Sequence, residues 1–516
     1  MPFQTTPEID FSATGLVTDV PTHSLPQGAW NDCLNLRCKD GSVQGVNVFD
    51  QSIVLHDTAS LISGGEVVAV TQFAPAGYAG LRLAYIVKGT DGNGKVVVYD
   101  TSTSTYSDIT NSNAVNVFTF DENHPPQIFV FNEMIIVNPA HDAPPMWADA
   151  GISSGSLVPF PGWPVDSDTS PIVARVVRPF NTRLMAMNIL EEHAAGTADD
   201  ANLPIDILWS NNITQIGNMT GVEWTASTTN TAGDAFAVET PGKILDGGQL
   251  GEFFIAYKSD SVIRVAETGD SFVLSFESIF EDDGVYSTRC FSNIGNSQHL
   301  VVGNYGVYIH DGQSQKQDIA KGIFQDTLFA LVKAANKDRS FCFQQTRDKE
   351  VWFCLPSKSI TGGGCDVAFV YDYATQKLHK RSLPNLVDIY ETEMDGELAI
   401  YGAKAGSQNL WTLSDTSFEP DGFFTKEDDN IQDNANIKWI NRIYLDSIGS
   451  VKIGLTATQN LNDTKTYNLS SFDPSTSYKL DYRVSGRYMN IKVQMNGSIN
   501  PMLGKMQFDI KPAGKR

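Results

Sequence analysis

The feature that most constrains this chain is a long succession of short apolar runs separated by turn residues, from about residue 61 to residue 425. At its start, strand-like runs at 67–73, 81–88 and 95–99 are separated by PAGYAG and TDGNG, and 106–110 is a fourth candidate. Short runs rich in apolar and β-branched residues, bounded by Gly, Pro, Asn and Asp, are typical of β-strands. Four short antiparallel strands in roughly 45 residues have the size of one propeller blade.

The same pattern recurs with divergence along the following sequence. Further units of this kind are predicted at 128–147, 183–230, 252–276, 299–311, 341–373 and 398–413. In the second of these units, the run WTASTTN from Trp224 is taken as a strand. We therefore predict an all-β fold with a β-propeller-like domain of about six to eight blades at 61–425.

One segment of this region does not follow the β pattern. Phe324, Leu328 and Ala335 recur at helical spacing, which predicts one short amphipathic helix near 322–336. An inserted helix that covers an edge between blades is favoured over a helix that binds a partner.

Two segments lie outside the repetition. Residues 1–60 form an N-terminal hairpin or platform segment, and 436–516 form a C-terminal β domain that completes the platform. Strand-like runs in the latter occur at 437–445, 451–458, 478–484, 488–495 and 506–510. The acidic, Gly- and Asn-rich stretch 420–436 is the predicted boundary.

The stretch WNDCLNLRCKDGSVQGVNVF at 30–49 predicts a β-hairpin. Leu34, Leu36 and Cys38 alternate with polar residues, and Asp40-Gly41 follows them at once. An Asp-Gly pair between strand-like runs favours a tight hairpin turn, because Gly tolerates positive φ. An isolated hairpin is only marginally stable in water, so this one must lie against the rest of the chain or a neighbouring copy.

Charge and cysteine usage limit the partners and the compartment. The formal net charge is -23 at pH 7, which opposes tight wrapping of nucleic acid phosphates. The six cysteines show no CxxC pair and no zinc-ligand spacing, so we expect free thiols in a reducing cytosol. No window approaches the roughly 20 apolar residues of a membrane span, and the N-terminus lacks the pattern of a secretory signal.

No motif in the sequence predicts chemistry. The GISSG string at 151–155 matches a hydrolase elbow as text, but it lacks the strand before it and the helix after it. The acidic residues Glu281, Asp282 and Asp283 are neighbours in the sequence, but this does not imply that their carboxylates converge, because neighbouring strand residues point to opposite faces. The histidines form no HxH or HExxH pattern. We expect a protein that is not an enzyme, with no catalytic residue, no cofactor and no metal site.

The opening stretch also carries a family resemblance. SLPQGAWND at 24–32 is followed by NLR at 35–37 and KDG at 39–41, and together they resemble the N-terminal signature of tail hub or nozzle proteins of short-tailed bacteriophages. Further anchors in the same style are LWS at 208–210, GVYIHDG at 306–312, EVWF at 350–353, SGRY at 485–488 and KPAGKR at 511–516. The anchors cover nearly the full length; Cys33 and Cys38 depart from the family pattern.

The resemblance implies a structural protein of the virion tail, folded and assembled in the host cytoplasm. It implies a homo-oligomer, a hexameric ring beneath the portal, with the tail adaptor and tail fibre or tip proteins as partners. Double-stranded DNA would pass through the channel of the ring without specific binding. Because each neutralised phosphate adds affinity and slows movement, we expect a channel wall that is net acidic or neutral.

The resemblance places the contacts between subunits in the platform. Residues 20–50 and the C-terminal unit are predicted to form a surface where subunits meet, each supplying strands that the other lacks. The candidate interface residues are Pro26, Gly28, Trp30, Arg37, Asp40, Gly41, Gly486, Arg487 and Tyr488. Trp30 is the expected anchor, since aromatic residues dominate interface energetics; the alternative is a tryptophan in the core of its own chain.

Two other functions stay open at this point. A glycan-binding or glycan-cleaving propeller would need convergent carboxylates or aromatic side chains at the mouth of the propeller. A scaffold for intracellular protein complexes is the third possibility, and it would not form rings with a DNA-wide hole.

Overall fold

The computed structural model describes residues 4–5, 8–53, 65–74, 82–100, 102–103, 105–110, 118–149, 151, 155–165, 172–191, 201–269, 273–295, 297–394, 397–431, 436–495 and 501–514. These residues are almost entirely β, which confirms the predicted fold class. The described helices are α1 (Gln325–Leu331) and two 3₁₀ segments, Thr22–Ser24 and Ala334–Arg339. Helix α1 lies inside the predicted range but is shorter, and its Leu328 is buried.

Within the part of the chain that the structure describes, the N-terminal segment contributes eight short strands. They are β1 (Gln4–Thr5), β2 (Ile9–Asp10), β3 (Gly15–Leu16), β4 (Ala29–Trp30), β5 (Asp32–Leu34), β6 (Leu36–Lys39), β7 (Ser42–Gly45) and β8 (Asn47–Ile53). Strands β6 and β7 form the predicted hairpin, with Lys39 opposite Ser42. The following strand leaves the hairpin and enters the propeller.

The first five blades are four-stranded antiparallel meanders in chain order. Blade one is β9 (Glu66–Phe73), β10 (Arg82–Lys88), β11 (Gly94–Asp100) and β12 (Thr105–Asp108); blade two is β13 (Gln127–Phe131), β14 (Met134–Asn138), β15 (Met146–Ala148) and β16 (Val158–Pro159). Blade three is β17 (Val173–Phe180), β18 (Arg183–Glu191), β19 (Ala201–Trp209) and β20 (Gly233–Phe236); blade four is β21 (Ile244–Leu250), β22 (Phe253–Lys258), β23 (Val262–Glu267) and β24 (Leu274–Phe280). Blade five is β25 (Phe291–Ile294), β26 (Gln298–Val302), β27 (Val307–His310) and β28 (Lys316–Asp318).

Blades six and seven share one long strand. They are built from β29 (Phe341–Gln345), β30 (Glu350–Leu355), β31 (Cys365–Asp372), β32 (Lys377–Met394), β33 (Glu397–Lys404) and β34 (Leu410–Phe418). The first half of β32 pairs with β31 and the second half with β33. Between the halves, Asn385 has φ 63°, a left-handed conformation that Asn tolerates better than most residues. This residue turns the strand from one blade into the next.

The ring of blades is closed by the N-terminal segment. Strand β8 pairs antiparallel with β34, with Phe49 opposite Leu413, and supplies the fourth strand of blade seven. The first strand of blade one contacts both β13 and the second half of β32. The described residues therefore form seven blades, within the predicted range of six to eight.

One strand of blade three was predicted in the wrong place. The run from Trp224 is a loop, and the fourth strand of this blade is β20. Trp224 is buried between Phe160, whose ring centroid is 5.5 Å away, and Trp163 at 4.8 Å. The aromatic signal reflected a core contact between blades two and three and not a strand.

The platform combines the two ends of the chain. Its C-terminal strands are β35 (Gly422–Asp429), β36 (Ile437–Ile448), β37 (Val451–Thr458), β38 (Leu469–Phe472), β39 (Lys479–Gly486), β40 (Tyr488–Met495) and β41 (Met502–Gly514). One sheet has the order β39-β36-β41-β7-β6, with β1 and β2 also paired to β41; the other has the order β38-β37-β40-β35-β5. Strand β35 begins inside the range predicted as the boundary.

The platform and the propeller share a core. One buried apolar cluster contains platform residues such as Phe424 and Ile440 together with propeller residues such as Tyr308 and Phe353. The six cysteines are free thiols, and burial raises their pKa values. Among the described residues, no helix has the length and apolar character that crossing a membrane requires.

Candidate assembly site

The hairpin of the opening stretch is shaped by its turn. Asp40 and Gly41 have φ of 50° and 71°, the two positive values of the tight turn whose twist matches that of the flanking strands. Both turn residues are exposed. Strand β7 continues into the platform by pairing with β41, where Val43 lies opposite Leu503. Within one chain, this hairpin is therefore already part of a larger sheet.

Charged residues of the hairpin fasten it to blade six. The Arg37 Nη1 atom lies 2.8 Å from Asp348 Oδ2 and 3.4 Å from Glu350 Oε1, and Lys39 Nζ lies 2.7 Å from Asp348 Oδ1. Burial alone would raise the pKa of Asp348, but the two cations hold it at about 2. Arg37 thus contacts its own propeller, with most of its side chain removed from solvent.

Trp30 lies in the core of its own chain. Its side chain is 0% exposed, it stacks on Phe424 at a centroid distance of 4.9 Å, and its Nε1 donates to the Phe11 carbonyl at 2.9 Å. Trp30 is therefore a core tryptophan of its own chain, which was the alternative to an interface anchor. Its side chain has no accessible surface with which to contact a neighbouring subunit. A buried indole with a satisfied N–H is a stabilising core element.

The residues before Trp30 set the path of the chain. Pro26 is exposed, and its carbonyl accepts from Lys426 Nζ at 2.8 Å. Gly28 is buried with φ 80°, and a Cβ there would lie 2.3 Å from the Asp10 carbonyl oxygen. Only glycine fits this position, both for its φ and for the close approach of the backbone.

The three C-terminal candidates lie at the corner where the chain crosses from one platform sheet to the other. Gly486 ends β39 and is buried; a Cβ there would meet the Thr458 carbonyl oxygen at 2.7 Å. Arg487 donates its backbone N–H to the same oxygen at 2.9 Å, and its guanidinium lies 5.9 Å from the ring centre of Tyr488. Lys438 Nζ donates to the Arg487 carbonyl at 2.9 Å. These contacts hold the two sheets together.

The platform exposes large apolar side chains that were not predicted from the sequence. Four large apolar side chains of this unit are at least 40% exposed: Trp439, Ile448, Leu469 and Tyr478. Trp439 and Ile448 lie on β36, whose buried residues include Ile440 and Ile443. The signal was present in KWINRIYLDSI at 438–448, which carries apolar residues on both faces of one strand, whereas a half-buried strand would carry them on one.

The centre of the propeller is occupied by paired charges. Arg178 Nη2 lies 3.0 Å from Asp246 Oδ1, and the Arg289 backbone N–H donates to Asp246 Oδ2 at 2.6 Å. Arg289 Nη2 donates to Asp388 Oδ1 at 3.1 Å, and Asp388 Oδ2 accepts from the Val70 N–H at 3.1 Å. Burial raises the pKa of Asp388, and the arginine opposes that effect. This chain of contacts joins blades three, four, five, seven and one.

A small pocket beside this centre is lined by several carboxylates. They include Glu66, Asp121, Glu122 and Asp338. Each is engaged within the chain: Glu66 accepts from the Gly406 N–H, Asp121 bonds to His124, Glu122 pairs with Arg339, and Asp338 accepts from Ser287. Hydrogen bonds to neighbours outweigh partial burial and lower the pKa of Asp121. A carboxyl with a lowered pKa is poorly suited to act as a general acid.

Together, the fold and these contacts define a seven-bladed propeller with an appended double-sheet platform. No family model matches the sequence, and no curated protein matches it. Among solved structures, puromycin hydrolase is similar with a TM-score of 0.37 and 10% identity over 78% of this chain and 61% of that chain. The WD40 domain of Neurospora crassa Pan2 is similar with a TM-score of 0.38 and 8% identity over 70% of this chain and 93% of that one.

A third solved structure, apo AztD from Citrobacter koseri, has a TM-score of 0.29 and 12% identity over 60% of this chain and 88% of that chain. The aligned part spans 61% of the puromycin hydrolase chain. The activities of these proteins are not carried over to this chain.

Proposed function

We propose that this chain is a structural subunit of the tail nozzle or hub of a short-tailed bacteriophage. Its copies assemble into a ring, a homohexamer by the family resemblance, whose channel conducts the genome during ejection. In this proposal the platform makes the contacts between subunits and with the tail adaptor and the fibre or tip proteins. The protein acts by shape and association, and no catalytic step is assigned to it.

The observation that carries the proposal is that the platform exposes several large apolar side chains. The platform already has a buried core. The exposed side chains that lie outside this core are Trp439, Ile448, Leu469 and Tyr478. Fully burying one such side chain is worth about 1.5–3 kcal/mol. Exposed large apolar residues on a folded unit are candidates for contact with a partner, and a second copy of this chain is the partner that a ring requires.

The architecture supports the proposal in a second way. The residues of the N-terminal signature contact both units: Trp30 stacks on Phe424 of the platform, and Arg37 pairs with Asp348 of the propeller. The net charge of -23 supports passage of DNA without retention, because few phosphates would be neutralised.

The alternative of a glycan-cleaving propeller has less support. It needs two carboxyl groups free to act as acid and as base or nucleophile. The carboxylates that line the described pocket are engaged with neighbouring groups, among them Arg339 and His124.

The proposal is tested with sedimentation velocity on the purified full chain. Tyr478 is 71% exposed on the platform, and Tyr305 is 65% exposed on blade five, so Tyr305→Ala is a matched control for Tyr478→Ala. We expect wild type and Tyr305→Ala to form the same closed oligomer, and Tyr478→Ala combined with Trp439→Ala to shift the distribution to monomer. A monomeric wild type, or equal assembly of all variants, would contradict the proposal.

A further inference from the structure

Three potential metal ligands meet on one face of the propeller, outside the assembly site. Asp121 and His124 lie in the connection between blades one and two, and His141 lies in the loop between β14 and β15. Their candidate ligand atoms all lie within 4.8 Å of one another. The two imidazole rings are nearly parallel, with an interplanar angle of 4° and centroids 6.4 Å apart.

Hydrogen bonds fix both segments in place. The Asp142 carboxylate accepts from the Thr119 backbone N–H at 3.0 Å and from its hydroxyl at 2.7 Å, which ties the His141 loop to the connection between the blades. Arg175, from blade three, donates to the Ala140 carbonyl at 2.7 Å and to the His141 carbonyl at 3.2 Å. The ligand-bearing backbone is thus held before any ion binds.

The polar atoms of the cluster are incompletely used. His124 Nδ1 and Asp121 Oδ2 are 2.5 Å apart and share one hydrogen. His141 Nδ1 is buried and has no hydrogen-bond partner among the described residues. A buried nitrogen without a partner costs free energy, and a cation at this point would use it.

We propose that Asp121, His124 and His141 form a binding site for a divalent transition metal ion, with Zn²⁺ as the first candidate. Two imidazoles and one carboxylate suit Zn²⁺ and its neighbours in the first transition row, whereas Ca²⁺ and Mg²⁺ prefer sites made of oxygen. The ion ties the connection between the first two blades to the loop of the second. This site does not depend on the function proposed above.

The geometry requires a small closure. Ligand atoms about 2.0–2.2 Å from one Zn²⁺ cannot be more than about 4.4 Å apart, so the side chains draw together on binding. Three protein ligands leave a fourth position open, next to a cavity of about 300 Å³ that His124 and Arg175 help to line. The guanidinium of Arg175 lowers the affinity for a cation, and Asp121 and Asp142 offset its charge.

Separation in the sequence explains why no motif revealed this site. Asp121 and His124 are three residues apart and precede β13, whereas His141 follows β14, and the pairing of these two strands, with Gln127 opposite Asn138, brings the three residues together. The sequence predicted no metal site, and an ion bound here would revise that expectation.

The first test titrates the chelator-treated full chain with ZnCl₂ against a chromophoric zinc indicator. We expect one equivalent to bind wild type, and His124→Ala and His141→Ala to lower the affinity by more than about 100-fold, since losing even a partner that only orients a ligand costs about 10- to 100-fold. His23→Ala is the matched control, because His23 is exposed and lies outside the cluster. Equal binding by all four proteins, or none by wild type at millimolar Zn²⁺, would overturn the proposal.

A second measurement keeps the proposal testable if a variant does not fold. Cu²⁺ added to the wild-type chain should give an electron paramagnetic resonance spectrum with superhyperfine splitting from two nitrogen ligands. Circular dichroism of each metal-free variant then separates loss of the site from loss of the fold. A Cu²⁺ spectrum without nitrogen splitting would also overturn the assignment.

Discussion

At the scale of single residues, the opening stretch acts through steric and packing requirements inside the chain. Gly28 sits where a Cβ would collide with the Asp10 carbonyl, Trp30 fills the space against Phe424, and Arg37 neutralises Asp348. These roles explain the strict spacing of the motif, because each residue meets a partner far away in sequence. They also move the expected effect of changing Trp30 from assembly to stability.

We expect Trp30→Ala to lower the free energy of unfolding by about 3–5 kcal/mol, since it leaves a large cavity and an unpaired Phe11 carbonyl. Tyr305→Ala is the control, because Tyr305 is 65% exposed on blade five, outside the platform, and its loss should change stability by only about 0.5 kcal/mol. Urea unfolding of both variants measures the difference. If the two variants lost similar stability, Trp30 would not contribute to the core as described.

A second residue-scale feature is a buried chain of hydrogen bonds between blades four and five. The Gly312 N–H donates to His310 Nδ1 at 3.1 Å, so His310 Nε2 carries the proton and donates to the Tyr257 hydroxyl at 2.7 Å. The tyrosine donates to His299 Nδ1 at 2.7 Å, and His299 Nε2 donates to the Gln249 carbonyl at 3.2 Å. Every proton has an acceptor when both imidazoles are neutral.

This network predicts a loss of stability in mild acid. Burial lowers the pKa of His299 to about 4 and that of His310 to about 3, whereas both titrate near 6.5 when unfolded. Below pH 6.5 the unfolded chain therefore binds more protons than the folded chain. As the pH is lowered from 6.5 to the folded pKa, the free energy of unfolding decreases by about 1.4 kcal/mol per pH unit for each histidine. Asp283, whose pKa burial raises to about 6, acts in the opposite sense between pH 6 and 4.

The contribution of one histidine is isolated by comparing variants between pH 4.5 and 6. Relative to wild type, His299→Gln should reduce the slope of unfolding free energy against pH by about 1.4 kcal/mol per unit. His23→Gln, at an exposed position, should leave the slope unchanged. Parallel slopes for all three proteins would mean that His299 is not held neutral in the fold.

At the scale of elements, the propeller depends on a strand from outside its own stretch of sequence. Strand β8 is the fourth strand of blade seven and joins it to the N-terminal hairpin. Its Phe49 is buried against Trp352, at a centroid distance of 6.4 Å, and under the Arg381 guanidinium. Closure of the ring is thus a contact between distant parts of the chain.

Phe49→Ala should lower the free energy of unfolding by about 3–5 kcal/mol, because it weakens the strand that closes the ring. Phe236→Ala is the control, since that side chain is half exposed at the edge of blade three. Denaturant unfolding followed by tryptophan fluorescence checks both. If the two variants lost equal stability, closure by β8 would not be the contact that limits the propeller.

Local patterns predicted the elements that are regular and failed where distant contacts decide. The strand-like run at 67–73 predicted β9, and the unit at 128–147 contains β13 and β14, because these signals are complete within a few residues. The strand expected at Trp224 is wrong, because its aromatic ring packs against another blade. The pairing of β8 with β34 joins segments that lie far apart in the sequence, and no local pattern encodes it.

At the scale of the whole molecule, the chain joins a closed propeller to a platform made from both of its ends. The charges at the propeller centre, from Arg178 to Asp388, bridge blades across it, so this centre does not serve as the proposed DNA passage. In the proposed ring the passage lies between copies, and the platform is where they meet. The exposed apolar side chains of the platform, among them Trp439 and Tyr478, are the residues proposed to make that contact.

The most direct test of this account is electron microscopy of the purified full chain in negative stain. The account predicts closed rings of identical subunits, with a central hole wide enough for a DNA duplex and the propellers arranged around it. Solitary propellers at every protein concentration, or assemblies that leave no central passage, would contradict it.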